Sequence, residues 1–496
     1  MQKPAMTLEL LRKKYKSINV TFKDDISLKR ALLYYSFVEG VYEYFVQGGM
    51  KKTLADTVIG GYEKIAPAFT APGFLNGLCS ILDRYLVDAI NEDLKQNKVT
   101  YKAYFEGIYQ NYPDSITQFF ERYSNVEKAL LQISGLFRHN IMTACHHVLD
   151  DWGYIQGTFV TASTSFLDKL IAIQSTGSDF HKGGQQVLIL TFSLQKSTDT
   201  VRVVYKPSDL EVDCLIVGDT KAVNFFRPGF QETSLMELLN TLMKSSQDLG
   251  LLPFPTYKIL PVSPGSMLTP AKDGSLPLRN SYGYLQFLDY DGYLTPTMNE
   301  AEVCQSYYTL LGQIAAVAAA FSLSDLHIQN LLVHDIKPYL IDLENALTRP
   351  IVEFADTEMV GQGAVDSGAI NGVVSSVELD VVKDTGTQIK PQSRYSHEKN
   401  RLWSASKEPI ANKDYLKFIT VGFMGTMQLI NTNLKHFTDW FQRLRQGAIV
   451  RIVPRGSDKF HGIVVSAFSS KNKKTVNEAV LEGLQGYLTT SYNEWA

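Results

Sequence analysis

Three observations predict an α+β protein. Residues 1 to about 165 show helical spacing with few breakers, about 166 to 290 hold short β-rich runs, and helical spacing returns from about 291. Helices and strands that segregate along a chain, instead of alternating, belong to the α+β class. At 496 residues the chain exceeds one ordinary hydrophobic core, so two or three domains are expected, and the change of pattern divides it into 1–165, 166–290 and 291–496.

The first region owes its reading to runs such as LKRALLYYSFVEGVYEYF at 28–45 and FLNGLCSILDRYLVDAINEDL at 74–94, whose apolar residues recur at helical intervals. In the second, QQVLILTFSL (185–194) and TVRVVYKP (200–207) are β-rich, with STD between them as a hairpin turn. SDFHKGG at 178–184 reads as a Gly-containing turn between a helix and the first strand, and SYGYLQFL (281–288) as a further strand. The third region opens with a helix over 299–321, followed by a motif-bearing loop and a strand in PYLIDLEN. A long loop over about 348–412, a helix near 414–447 and a basic turn, VRIVPRGSDKF, complete it.

Composition narrows the function. Apolar residues make up 45% and charged residues 20%, the balance of a folded chain, and a formal charge of −3 supplies no bulk attraction to nucleic acid or anionic membrane. KNKK at 471–474 is a solvated loop on this reading. Cys79, Cys145, Cys214 and Cys304 are far apart and form no CxxC pair, as expected for reduced thiols in a cytoplasmic protein. The N-terminus lacks a signal-peptide core, and the apolar stretch LLGQIAAVAAAFSL is too short to span a bilayer, so no stable membrane insertion is expected. CHHVLDD at 145–151 sits in a helical run without a third ligand cluster and is read as structural.

The chemistry concentrates in SLSDLHIQNLLVHDIKPYLIDLENAL, residues 322–347. Asp325, His327 and Asn330 occupy a loop after a core helix, and Asp342 follows on the next strand. Phosphoryl transfer from ATP needs one carboxylate to orient or deprotonate the attacking hydroxyl, and an Asn plus a second carboxylate to hold Mg2+ on the phosphates. The offset of five between Asp325 and Asn330 matches that of kinase catalytic loops, and a His two after the Asp is closer to the phosphoinositide lipid kinases. Lys206, ending a β-rich run, is the candidate to neutralise nucleotide phosphates. SDFHKGG could cover those phosphates, although it lacks GxGxxG.

Taken in order, the blocks SDFHKGGQQVLILTF, VRVVYKPSDLEVD, SYGYLQFL, QSYYTLLGQIAAV, SDLHIQNLLVHDIKPYLIDLENAL, VGFMGTMQLI and VRIVPRGSDKF resemble the dehydratase domain of the class II lanthipeptide synthetases, the LanM enzymes, over roughly residues 135–470. The resemblance implies a lipid-kinase-like bilobal fold with an N-terminal helical domain and a helical C-terminal elimination and activation region. It also implies ATP- and Mg2+-dependent phosphorylation of Ser and Thr in a ribosomal precursor (leader–core) peptide, then elimination of phosphate to dehydroalanine or dehydrobutyrine. Through it, Lys206 matches the phosphate-contacting lysine, Asp325 the catalytic acid, His327 and Asn330 the rest of that loop, and Asp342 with Glu344 the metal-side acids. Asp179 and His181 match a D-x-H pair associated with elimination, as do Arg451 and Ser457 with an Arg and a Thr.

Elimination needs a base near the α-carbon and a cationic acceptor for the departing phosphate. Arg451, with Arg455 nearby, can supply fork-shaped bonds to phosphate, while Asp179, His181 and Ser457 are unranked candidates for proton handling or positioning. Three positions depart from the family pattern: Ser457 replaces Thr, Phe460 replaces Tyr, and the first block opens SD where GD is usual. The family's C-terminal zinc cyclase domain has no counterpart before Ala496, so ring closure is not expected of this chain and a separate cyclase is an optional partner. Two other readings compete: a kinase for a peptide or lipid-like hydroxyl without elimination, and a nucleotide-binding pseudokinase that recruits a leader peptide.

Overall fold

A computed structural model describes residues 7–22, 24–47, 49–51, 61–160, 165–176, 185–220, 233–245, 249–262, 281–321, 323, 330–343, 399–444, 478 and 482. The described residues up to Pro207 form one compact unit, and those from Ser208 to Leu444 form another.

The first unit begins with helices α1 (Leu8–Ser17), α2 (Asp25–Arg30), α3 (Tyr35–Val46), α4 (Gly61–Phe69), α5 (Asn76–Asn97), α6 (Tyr101–Gln110), α7 (Asp114–Arg122), α8 (Ser124–Asp150) and α9 (Trp152–Phe159). Thr7, Asp24 and Thr100 start three of them as N-caps, each side-chain oxygen accepting an orphan backbone N–H. The run expected as one helix over 28–45 is broken by a 3-10 turn at Ala31–Leu33. Just before that turn Arg30 enters the interior, where its Nε and Nη2 donate to Asp83 of α5 at 2.8 and 2.7 Å and Nη1 donates to Tyr101 of α6 at 2.5 Å. A bidentate, buried pair of this kind fixes the packing of three helices, because removing one partner would strand a charge away from water.

The unit continues into β1 (Leu167–Ser175), β2 (Leu188–Leu194) and β3 (Thr200–Lys206), paired antiparallel in that order. The strand β1 corrects the expectation of a helix before SDFHKGG, and 178–184 therefore connects two paired strands. Its buried positions Leu167, Leu170 and Ile173 recur every three residues, a helix-like interval, because the register with β2 slips twice between Leu167 and Ala172. Helices and sheet meet where Trp152 of α9 packs edge-on against Phe192 of β2 at 5.6 Å, and where His147 of α8 bonds Tyr205 of β3 at 3.0 Å. CHHVLDD thus lies in α8 and its first turn beyond, with Cys145 buried and His147 committed to Tyr205.

In the second unit α10 (Glu211–Val217), α11 (Leu235–Ser245), β4 (Ile259–Val262) and β5 (Tyr282–Gln286) precede a long helix, α12 (Glu300–Ala320). β4 and β5 pair antiparallel, from Ile259 opposite Leu285 to Val262 opposite Tyr282. A tight hairpin follows, β6 (Leu331–His334) and β7 (Lys337–Leu340), and the helix expected near 414–447 is two, α13 (Leu416–Thr432) and α14 (Leu434–Leu444).

α12 is buried on nearly every face from Tyr307 to Ala318 and serves as the axis of the unit. It meets α13 through two glycines: a β-carbon at Gly312 would fall 2.0 Å from the carbonyl oxygen of Ile419, and one at Gly422 would fall 2.0 Å from that of Thr309. The buried side chain of Gln313 bonds both backbone groups of Leu252, donating at 2.7 Å and accepting at 2.8 Å. Asn240 treats Phe254 the same way at 3.0 and 2.7 Å. These amides act as short surrogate strands for a segment whose Pro253 and Pro255 lack N–H donors. Three tyrosine hydroxyls anchor the stretch after residue 398: Tyr307 donates to the Asn400 carbonyl, Tyr290 to that of Arg401, and Tyr308 to that of Ile410, at 3.1–3.2 Å.

Candidate functional site

The hairpin β6–β7 organises the site. Its turn residues Asp335 and Ile336 both have positive φ, 49° and 54°, as a two-residue turn matched to strand twist requires. A β-branched residue rarely tolerates that conformation. Here Asp291 holds it, taking the Asp335 N–H at 2.9 Å, while His334 Nδ1 bonds the Asp289 carbonyl at 2.7 Å. The Asp–Ile turn carries neither Gly nor Asn, and the four-residue strands are short, so neither the hairpin nor β6 was visible in the sequence.

At the open end of the hairpin, Leu331 pairs with Leu340, and the ladder extends one step further as the Ile341 N–H donates to the Asn330 carbonyl at 3.0 Å. Asn330 and Asp342 are therefore brought to the same end of one hairpin. Asp342 does not lie within the strand, as PYLIDLEN suggested: β7 stops at Leu340, and Asp342 takes a left-handed conformation with φ 61°. Asp is among the few residue types that accept this region, at some cost in strain.

A residue without an assigned role supports that turn. Asp213 of α10 is fully buried, and its Oδ1 accepts the Leu343 N–H at 3.0 Å. A buried bond to a charged acceptor contributes about 1.5–3 kcal/mol. Four residues along the same face, the Val217 carbonyl accepts the Tyr257 N–H at 3.3 Å, and Gly218 bridges Tyr257. Tyr257 therefore sits beside Asp213 with its ring 6.3 Å from that of Tyr339 on β7. Burial, then the charges of Asp213 and Asp342, drive its hydroxyl well above the usual phenol range. That hydroxyl is buried and has no hydrogen-bond partner among the described residues.

An unsatisfied buried hydroxyl costs about 1–3 kcal/mol. Tyr257→Phe is therefore expected to stabilise the ligand-free protein by about 1 kcal/mol, raising the thermal midpoint by roughly 2–4 °C. A lower midpoint would mean that the hydroxyl is bonded in solution.

The oxygens of Asn330 and Asp342 suit a hard cation, while Asp213 Oδ1 is taken up by the Leu343 N–H. Among the described residues no three His, Cys, Asp or Glu side chains form a metal-binding group. Mg2+ on a nucleotide fits that supply, since it is held by one or two carboxylates together with substrate phosphates and water. Lys206 ends β3 in the first unit and is 5% exposed, so its ammonium is held away from bulk water. Asp179, His181, Asp325, His327, Glu344, Arg451 and Ser457 lie outside the described residues. An open groove of about 490 Å³ beside α4 and β1, bordered by Lys51, Tyr62 and Lys169, contains none of the predicted site residues.

Sequence reasoning missed Asp213 and Tyr257. The signal for Asp213 was a carboxylate inside the otherwise apolar turn VDCLIV, whose residues are all buried; Tyr257 offered none, sitting in an irregular Pro-containing run.

A family described as a domain of unknown function, DUF4135, matches residues 123–366, a span that contains Lys206, Asp213, Tyr257, Asn330 and Asp342. The lacticin 481/lactococcin biosynthesis protein LcnDR2 of Lactococcus lactis subsp. lactis is 20% identical to this chain over 458 residues. The alignment covers 83% of this chain, which spans 43% of the length of that relative. No described helix is long and apolar enough to cross a membrane.

Proposed function

We propose that this chain, similar to a lacticin 481/lactococcin biosynthesis protein, dehydrates Ser and Thr residues of a ribosomal precursor peptide by phosphorylation followed by elimination. The observation that carries the reading is the placement of Asn330 and Asp342 at one end of a single hairpin, the amide and carboxylate that phosphoryl transfer from ATP requires. Magnesium, when bound, screens the nucleotide phosphates and draws charge from the oxygen that leaves with ADP. Asn330, Asp342 and Glu344 would hold that cation, and Lys206 would neutralise phosphate oxygens. Asp325 orients the peptide hydroxyl and accepts its proton as the new O–P bond forms and the bond to ADP breaks, with His327 completing the loop.

In the second step a base removes the α-proton, the carbon–carbon double bond forms, and the β-carbon–oxygen bond breaks with release of phosphate. Arg451 pairs with the departing phosphate, and Asp179, His181 and Ser457 share the proton handling and positioning. The net change is loss of one water from each modified residue.

Mass spectrometry of the precursor peptide after incubation with the chain, ATP and Mg2+ tests this reading. Peptide lighter by whole waters supports it, and Arg451→Ala is expected to shift the product to stable phosphopeptide, slowing elimination by about 10²-fold or more. Unmodified peptide together with an undiminished ATP pool would reject it. A second reading is a kinase for a peptide or lipid-like hydroxyl without elimination. Under that reading wild type itself yields phosphopeptide, and Arg451→Ala leaves turnover unchanged.

A further inference from the structure

We propose that Asp213 is the positioning residue for Asp342, holding by its acceptance of the Leu343 N–H the left-handed turn from which the metal-side carboxylate projects. The inference rests on the phosphotransfer reading, in which Asp342 binds the cation accompanying ATP.

The peptide group between Asp342 and Leu343 carries the N–H that Asp213 Oδ1 receives at 3.0 Å. Fixing that peptide fixes the ψ of Asp342, and its φ of 61° is a conformation that persists only where surrounding structure enforces it. On the other side, Ile341 is held by Asn330 at 3.0 Å. Asp342 is thus clamped through both neighbours, one bond to the Asn330 carbonyl and one to α10. The clamp is rigid because Asp213 is fully buried on a short helix whose residues Val212–Val217 are all buried, and because the end of that helix is bridged to Tyr257. Leu343 itself is fully buried, so the donor has no access to water as an alternative partner. Metal ligands commonly depend on such outer bonds, and loss of one lowers metal affinity by about 10–100-fold.

The test is Mn2+ binding to the full chain in the presence of adenylyl imidodiphosphate, followed by electron paramagnetic resonance of the free ion. Asp342→Asn, Asp213→Ala and Asp213→Asn are compared, each with its thermal midpoint. Asp342→Asn should abolish saturation in the millimolar range. Asp213→Ala should raise the half-saturating Mn2+ at least tenfold. Asp213→Asn should stay within about threefold of wild type, because an amide oxygen can accept the same proton. Where Asp213→Ala does not fold, Asp213→Ser, which also lacks the reach to Leu343, replaces it. Weakening by Asp342→Asn without weakening by Asp213→Ala would overturn the inference and leave the phosphotransfer reading intact. Equal weakening by Asp213→Ala and Asp213→Asn would also overturn it, since charge and not the bond to Leu343 would then be the cause. A lowered midpoint with unchanged Mn2+ affinity would reduce Asp213 to a structural residue. Indifference of binding to Asp342→Asn would remove the metal assignment itself.

Discussion

On the phosphotransfer reading, Asp342→Asn is expected to lower phosphate transfer to the peptide by roughly three orders of magnitude, about 4 kcal/mol of transition-state stabilisation, while the chain stays folded. The two halves of this expectation have separate causes. Asn accepts the left-handed region as readily as Asp, so φ of 61° and the Leu343–Asp213 bond survive the exchange. What disappears is one negative charge at the end of the hairpin, and with it most of the attraction for a divalent cation. Asp342→Ala would mix both effects, since Ala pays for the left-handed conformation as well. Single-turnover phosphorylation with radiolabelled ATP reads the first half and thermal unfolding the second. A variant that retains more than about a tenth of the wild-type rate would show that the cation is held elsewhere.

The second large effect falls far from the chemistry. Gly422→Ala is expected to lower stability by about 2 kcal/mol, a loss of roughly 4–8 °C in the thermal midpoint. Replacing a helical glycine by alanine normally gains about 1 kcal/mol in propensity. Against that gain, the new methyl would lie 2.0 Å from the Thr309 carbonyl oxygen, and overpacking costs about 1–3 kcal/mol, at the upper end where the obstacle is backbone. α12 cannot retreat, because Gln313, one residue beyond Gly312, is bonded to both backbone groups of Leu252. Calorimetry of Gly422→Ala and Gly312→Ala decides the point. An increase in midpoint for either would mean that the helices stand further apart than the glycine contacts require.

What was legible in the sequence divides along the range of the interactions involved. The helix over 299–321, observed as Glu300–Ala320, and the strands within 185–194 and 200–207 declare themselves by local periodicity, and the four cysteines, read as unpaired from their wide spacing, are buried and free. Asn330 and Asp342 were singled out because phosphoryl transfer calls for those residue types at short spacing, but the hairpin end at which their backbones meet was not legible. β1 was not, since two register slips gave its buried face a helix-like interval. Nor was Asp213, whose importance depends on a backbone N–H 130 positions away. The turn at Asp335–Ile336 escaped for the same reason, its support coming from Asp291, 44 positions earlier.

The attachment of the hairpin to the chain beyond it has an entropic consequence. Leu343, fastened to Asp213, marks the exit of the chain from the open end of the hairpin, and Lys399, whose carbonyl accepts the Val333 N–H at 2.8 Å, marks its return to β6. Both ends of the intervening chain are thus tied to the same small hairpin, with Tyr307, Tyr290 and Tyr308 reinforcing the return. Because these contacts join residues far apart in the chain, their loop-closure entropy is recovered only once the hairpin has formed, so the hairpin and the stretch after residue 398 are expected to order together.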